Sequence, residues 1–374
     1  MVKLSDNLAT WSPFLPHHIQ TVGTDIDHKI KAAAADGEPQ WDGLGESTGV
    51  KAWRIEQFKV VPWPEEKHGS FHTGDSYVVL NSYQEAGSDA ILHDIHIWIG
   101  TESSQDEYGT AAYKMVEADE KLGGAAIQHR EVQGHESGLF QSYFGNLTYL
   151  QGGTESGFNH VEPSVDEPHM YRVKGTEKGM SLAQVPLSKS SLNQGDSFIL
   201  FANNSSVWVW HGSSANPDEK SRANTVAENM CSRGTVVTLE DGESDDAFWG
   251  YLGDGDIAEG DDADEQIKEF TPLLLKLSGG GAEQVAKGEP VKVGFGKATP
   301  KIAKSLLDPS DVFLLDSGWE MFLWIGSSAD RSEKVSAISW ADAYCKKDPR
   351  TADLPLSLVK AGYEPSSFSG HFYE

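Results

Sequence analysis

One pattern occurs three times in this chain, and its period limits what the chain can fold into. In the first copy Asp75 follows Gly74 and opens an apolar run at 76–80; a second run at 95–99 contains Trp98, ends at Gly100 and is followed by Glu107. The second copy places Gly195, Asp196, Trp210, Gly212 and Glu219 at the same points, and the third places Ser310, Asp311, Trp324, Gly326 and Glu333. The tryptophan precedes the glutamate by nine residues each time, and successive glutamates lie 112 and 114 residues apart. Such a period is that of a domain, too long for a solenoid unit, and each copy can bury its own core.

Within a copy the hydrophobic period changes from two to 3.6. Residues 51–61 alternate as a strand, and strands are expected at 76–82 and 93–99. Ser104 with Glu107 makes a capping box, after which Ala111, Ala112, Met115, Val116, Asp119 and Leu122 recur at helical spacing until Gly123-Gly124. A strand at 126–132 and a short helix around 137–144 complete the copy. The second copy repeats the order, with a strand at 170–173, a strand pair through 197–210, a strand at 235–239 and helices at 217–230 and 245–252. The third runs from Leu273, with its long helix at 331–346. Residues 1–46, with one helical piece at 29–35, are expected to pack on the first domain or to stay mobile. Residues 254–269 read as a solvated acidic linker. Mixed strands and helices with one long helix per copy predict three α+β domains of one sheet each.

Composition excludes several function classes. With 57 acidic and 30 basic residues the formal charge is −27, which repels phosphates and argues against a nucleic-acid partner; cations or basic protein surfaces suit it better. Cys231 and Cys345, one in each of two copies, are too few for a disulfide framework and fit a reducing, cytosolic compartment. No apolar h-region follows Met1, and no stretch reaches the roughly 20 apolar residues that cross a bilayer. No phosphate-binding glycine loop and no nucleophile elbow signals covalent chemistry, so an enzyme is not expected. His93 and His96 are three apart on a strand and point to opposite faces, which argues against a zinc pair.

The repeated acids admit two readings. Ser104 with Glu107, Asn216 with Glu219 and Asp330 with Glu333 are each a polar N-cap with Glu three places on, which satisfies orphan amides. Capping does not explain Asp75, Asp196 and Asp311, which open strands where Asp is unfavourable. An Asp at a strand entrance with a Glu at a helix start supplies oxygen donors for a hard cation such as calcium, though nothing matches the twelve-residue EF-hand loop.

The stretches 71–80, 104–107, 127–134 and 152–161 closely resemble the first segment of the gelsolin/villin superfamily, and the resemblance extends over all three copies. Length and the Trp41-Asp42-Gly43 step before the first strand resemble the three-segment severers of severin and fragmin type. The resemblance implies an N-terminal extension at 1–46 and gelsolin-like segments at 47–163, 164–270 and 271–374. Each would be a central mixed sheet of about five strands sandwiched between one long and one short helix. It implies a cytoplasmic, cytoskeletal protein, monomeric, that severs actin filaments, caps barbed ends and nucleates filaments under calcium control. Capping without severing, and a calcium-binding scaffold without actin, are the alternatives.

Carried over position by position, calcium in the first segment would take the Gly74 carbonyl, Asp75, Glu107 and the Thr154 carbonyl. The second would use Gly195, Asp196, Glu219 and a linker acid, for which Asp262 is preferred over Asp261 and Asp264. The third would use Ser310, Asp311 and Glu333. A further calcium, shared with actin, would take Asp119 and the carbonyls of Gly124 and Ala126. The actin-binding helix falls on 105–122, with Tyr113, Met115, Val116 and Asp119 as contacts and Phe58 as a second point of contact. The family's phosphoinositide-binding segment is lysine-rich, whereas 145–151 contains no lysine, so lipid control through it is not expected. Secreted relatives carry a disulfide in the second segment where this chain has Ser197 and His211.

Overall fold

The computed structural model describes residues 37–85, 88–144, 147–153, 168–176, 179–203, 205–231, 233–260, 270–278, 281–292 and 298–330, then 337, 340–341, 344–345, 347 and 349–374. The helical piece expected at 29–35 lies outside these residues, as does most of the helix expected at 331–346. The chain forms two compact units. One comprises Met1–Glu66, Asp75–Phe140 and Glu269–Glu374; the other comprises Lys67–Gly74 and Gln141–Lys268.

The first unit is built on a ten-stranded sheet. Five of its strands come from the first copy of the pattern, in the order Ile127–Val132, Ile91–Ile99, Ser76–Gln84, Gly49–Glu56 and Lys59–Pro62. The other five come from the third copy: Leu356–Lys360, Met321–Ile325, Val312–Asp316, Leu273–Ser278 and Gly281–Lys287. The halves meet where Leu356, Ser357 and Leu358 pair antiparallel with Arg130, His129 and Gln128. Each copy thus contributes the expected five strands, and the sheets of the first and third copies are joined edge to edge. The pattern gives each strand's period but not which edge strands find each other, because edge pairing depends on backbone groups common to every sequence.

Alternation decides what each face of this sheet meets. Ile95, Ile97 and Ile99 face the long helix Gln105–Lys121 with Val78 and Leu80, and the helix answers with Tyr108, Ala111, Ala112, Met115 and Ala118. Those positions form one stripe at helical spacing. Trp41 and Leu44 join the same core, Trp41 edge-on to Trp53 with ring centroids 5.1 Å apart, so this body begins before residue 47. The even residues Asp94, His96 and Trp98 lie on the opposite face; His96 meets Phe140 of the short helix Gly138–Ser142.

The second unit carries the same five-strand order in Thr235–Glu240, Ser206–His211, Ser197–Asn203, His169–Thr176 and Gly179–Val185, extended by Leu147–Leu150 and Ser70–His72. Its long helix, Pro217–Met230, buries Ala223 and Ala227. Ser197 and His211 are direct cross-strand partners joined by a 2.9 Å hydrogen bond. The stretch expected to be a solvated linker is in part docked: Gln194 donates to the Ala258 carbonyl and Ala258 to that of Leu192, with Ile257 packed on the core.

Candidate metal centres and the outer face of the long helix

The three copies build one local structure around the repeated acids. The glycine that ends the second strand turns its amide back to the carbonyl of the aspartate that opened the first: Gly100 to Asp75, Gly212 to Asp196 and Gly326 to Asp311, each at 3.0 Å. The close approach explains the glycine, since a Cβ on Gly326 would stand 2.2 Å from the Pro309 carbonyl oxygen. The glutamates cap as well. The Ser104 amide donates to Glu107 Oε2 and the Asn216 amide to Glu219 Oε2, while each cap side chain accepts from its glutamate's amide. Glu333 lies outside the described residues, as do Thr154 and Asp262.

Asp75 and Glu107 are both buried in the first unit. Ser76 Oγ meets Ser103 Oγ at 2.8 Å, and Ser103 Oγ donates to Glu107 Oε2, so the aspartate's neighbour is wired to the glutamate. In the second unit Asp196 Oδ2 accepts from Asn193 Nδ2 at 2.7 Å and Glu219 Oε1 accepts from the Gly175 amide at 3.0 Å. The backbone of Gly260 lies against Gly195. In the third copy the Ser310 amide and hydroxyl bond to Asp308. Gly74 donates its amide to the Gly152 carbonyl within the second unit.

A feature not read from the sequence accompanies each aspartate: a cation on the strand that pairs with the one the aspartate opens. Arg54 Nε lies 2.7 Å from Asp75 Oδ2, Arg172 Nε 3.6 Å from Asp196 Oδ2, and Lys276 Nζ 2.6 Å from Asp311 Oδ2. Register makes the three equivalent: Arg54 pairs with Tyr77, Arg172 with Phe198 and Lys276 with Phe313, each two residues beyond the aspartate. The signal was present as a basic residue at one place in three first strands, but its meaning required the register. The carboxylates suit a hard cation by chemistry, and each aspartate is already balanced by a tethered positive charge.

Asp119, at the end of the long helix, accepts from the Ala126 amide at 3.0 Å, Gln128 Nε2 at 2.7 Å and Lys360 Nζ at 3.3 Å; Lys360 also donates to the Gly124 carbonyl. Asp119, Gly124 and Ala126 lie close together, with the Ala126 amide turned to the carboxylate. On the same helix Tyr113 is 36% exposed and Val116 is half-buried. Met115 is a correction: at 2% exposure it belongs to the core stripe, because positions 108, 111, 115 and 118 share the face that the sheet covers. Lys114 is held by Glu38 at 3.0 Å and Glu117 at 2.8 Å, which anchors the start of the described chain to the helix.

Phe58 is 66% exposed, and it and Gln57 have φ of +65° and +48°. Glu56 pairs with Lys59, so the two form a tight hairpin turn whose favoured residues are Asn and Gly. A bulky ring held outward in the left-handed region is strained, and strain of that kind points to function. Phe58→Gly should leave unit stability unchanged or raise it by about 1 kcal/mol while weakening partner binding. Chemical denaturation and a binding titration on the same protein check both; a loss of stability would reassign the ring to packing.

The face of the sheet opposite the long helix contains a buried polar cluster that sequence reasoning missed. His96 and His129 pair across neighbouring parallel strands and stack with centroids 4.2 Å apart and planes 11° apart. His96 Nδ1 meets Glu131 Oε1 at 2.8 Å, His129 Nε2 meets Asp94 at 3.2 Å, and His129 Nδ1 meets Ser357 Oγ at 2.7 Å. Ser357 donates on to Glu320, and Ser137 donates twice to Glu131. The ligand atoms of His96, His129 and Glu131 lie within 4.8 Å of one another. The stacking argues against a shared ion, because a metal lies near the plane of an imidazole that ligates it and two parallel planes do not meet. Burial pushes Glu131 and Glu320 up to about 7, Glu320 also through the charge of Glu131, and holds His96 well below its ordinary value.

A three-copy mixed-sheet architecture with an aspartate at each strand entrance, joined by a capping glutamate in the first two copies, defines the class. A profile described as "Gelsolin repeat" matches residues 57–141, 180–249 and 297–368, and the chain belongs to the gelsolin family. It is 39% identical over 355 residues to gelsolin-like protein 2 of Lumbricus terrestris, covering 93% of each chain. It is also 35% identical over 358 residues to severin of Echinococcus granulosus (91% of this chain, 92% of the relative). A third relative is the actin depolymerising venom protein gelsolin 1 of Platymeris rhadamanthus, 33% identical over 356 residues, covering 90% of this chain and 92% of that one. Among the described residues no helix is long and apolar enough to cross a membrane.

Proposed function

We propose that this protein is a calcium-regulated actin-binding protein, not an enzyme, that severs filaments, caps barbed ends and nucleates new filaments in the cytoplasm. Near-complete overlap with three-repeat relatives supports the reading, one of them named for depolymerising actin. The observation that carries it is the recurrence, in each copy, of a strand-entry aspartate balanced by a tethered cation. Asp75 with Glu107, Asp196 with Glu219 and Asp311 with Glu333 would hold the ions, joined by carbonyls of Gly74, Thr154, Gly195 and Ser310 and by Asp262. Calcium, when bound, supplies a double positive charge to each acid pair.

The chain's own residues do the rest. In the compact state Arg54, Arg172 and Lys276 neutralise the aspartates, and the Arg130 guanidinium binds the carbonyls of Ala352 and Leu354, fastening the third copy to the first. Phe58 and Tyr113 present rings that bury area in a cleft of actin, with Val116 beside them and Asp119 at the helix end.

The test is fluorescence microscopy of individual filaments, counting internal breaks and protected ends against free calcium. The wild type is expected to break filaments only with calcium, and Glu107→Gln, which keeps an acceptor for the cap, should raise the calcium required by at least about tenfold. Protected ends without internal breaks would establish the capping-only alternative. Absence of any calcium-dependent actin binding would leave a calcium scaffold.

A further inference from the structure

The contact of Lys360 with the helix end joins two copies of the pattern at one point. Lys360 ends the strand that closes the ten-stranded sheet, and the last seam pair in register is Leu358 with Gln128. Two residues on, the alternation puts Lys360 on the side of Leu358 and opposite Ala126. Its ammonium reaches Asp119 Oδ2 at 3.3 Å and the Gly124 carbonyl oxygen at 2.5 Å. Gly123 and Gly124 have φ of +79° and +71°, and the Gly124 amide is taken by the Asp119 carbonyl at 2.8 Å. The helix end is therefore folded back as a small ring of oxygen acceptors, one anionic and one neutral, around a positive charge. Asp119 is the better covered partner, its side chain 9% exposed against 33% for Lys360.

We propose that Lys360 is an internal cation that occupies the Asp119–Gly124 acceptor set and excludes a metal cation from it. The inference rests on the calcium reading above and adds a regulatory residue to it. Two positive charges drawn to one carboxylate and one carbonyl repel each other at close range, so a bound ion and the Lys360 contact oppose one another. By linkage, whatever strengthens the sheet junction weakens cation binding at the helix end, and the reverse holds equally. The other three acids take their tethered cation from within their own copy. Lys360 reaches its acid across copies, so release of its charge is coupled to separation of the third copy from the first.

The experiment uses the full-length chain without actin. Calcium is titrated while the radius of gyration is followed by small-angle scattering, for the wild type and for Lys360→Met, which keeps the aliphatic stem and removes the charge. The midpoint of expansion is expected to fall about two- to fivefold in the variant, the range set by a partly exposed ion pair. Lys360→Arg should restore the wild-type midpoint. In an Asp119→Asn background Lys360→Met should have no further effect, because the partner of the charge is gone. A wild-type midpoint in Lys360→Met, or a shift that persists in the Asp119→Asn background, overturns the inference while leaving calcium control intact. A wild type that fails to expand at any calcium concentration overturns the calcium reading itself, and this inference with it.

Discussion

Asp75→Ala should destabilise the first unit by about 3 kcal/mol, because it leaves the buried Arg54 guanidinium with only the more distant Glu56 carboxylate, at 3.6 Å, as counter-charge. The carboxylate also accepts from the Tyr77 hydroxyl, so a second buried polar group loses its partner. Guanidinium denaturation followed by tryptophan fluorescence reads the effect, since Trp98 and Trp53 lie in the same unit. The companion variant Arg54→Met separates the possible causes. If Asp75 is held chiefly by Arg54, Arg54→Met is destabilising in chelator and partly rescued by calcium, which restores a positive charge beside the acid. Ligand present at about 100 times its dissociation constant adds about 2.7 kcal/mol. Asp75→Ala should gain nothing from calcium at that site. Equal calcium rescue of both variants would show that Asp75 is not a ligand.

The second large effect is a dependence on pH set by the buried polar cluster. Glu131 and Glu320 are pushed up to about 7, so the fold favours their neutral forms. Their stabilising contribution is full below the ordinary carboxylate range and is lost as pH rises through about 7, by on the order of 2–3 kcal/mol for each carboxyl titrated alone. His96 works in the opposite direction. Its value is lowered by burial, so its contribution is present above its ordinary value of 6.5 and is lost as pH falls below it. Asp94, His129 and Ser357 face the same cluster, and Ser357 lies on the strand that makes the sheet junction. Glu320→Gln keeps an acceptor for Ser357 and removes one titration. Its stability should exceed that of the wild type at pH 8 and match it near pH 5, in urea midpoints taken at half-unit steps. Parallel curves for the two proteins would exclude Glu320 as a titrating group.

What the sequence disclosed and what it withheld divide along physical lines. Helix and strand positions were legible because periodicity and capping are local: the helix Pro217–Met230 and the capping box at Ser104 and Glu107 are written in adjacent residues. The junction of the two half-sheets was not legible, because it is made by main-chain groups of Arg130, His129 and Gln128 that any residues possess. The tethered cations fell between these cases. Arg54, Arg172 and Lys276 stand at equivalent places in three strands, but an acid and a base some 20 to 35 residues apart become partners only through antiparallel register. Met115 was misplaced for a related reason, since a helix has two faces and spacing alone does not say which one the sheet covers. His93 and His96 point to opposite faces of one strand, and the neighbour of His96 is His129, which comes from the next strand.

The junction at Arg130 and Leu356 has one more consequence, for behaviour in concentrated solution. Opening it would free two strand edges at once, Ile127–Val132 and Leu356–Lys360, each of which can pair with another chain. The first carries His129, Arg130 and Glu131 where a flat aggregating edge would carry aliphatic residues, whereas the second is aliphatic at Leu356, Leu358 and Val359 and charged only at Lys360. An open molecule would thus expose one edge that resists stacking on copies of itself and one guarded by a single lysine at its end. The residues that fasten the closed state also protect the open one from self-association.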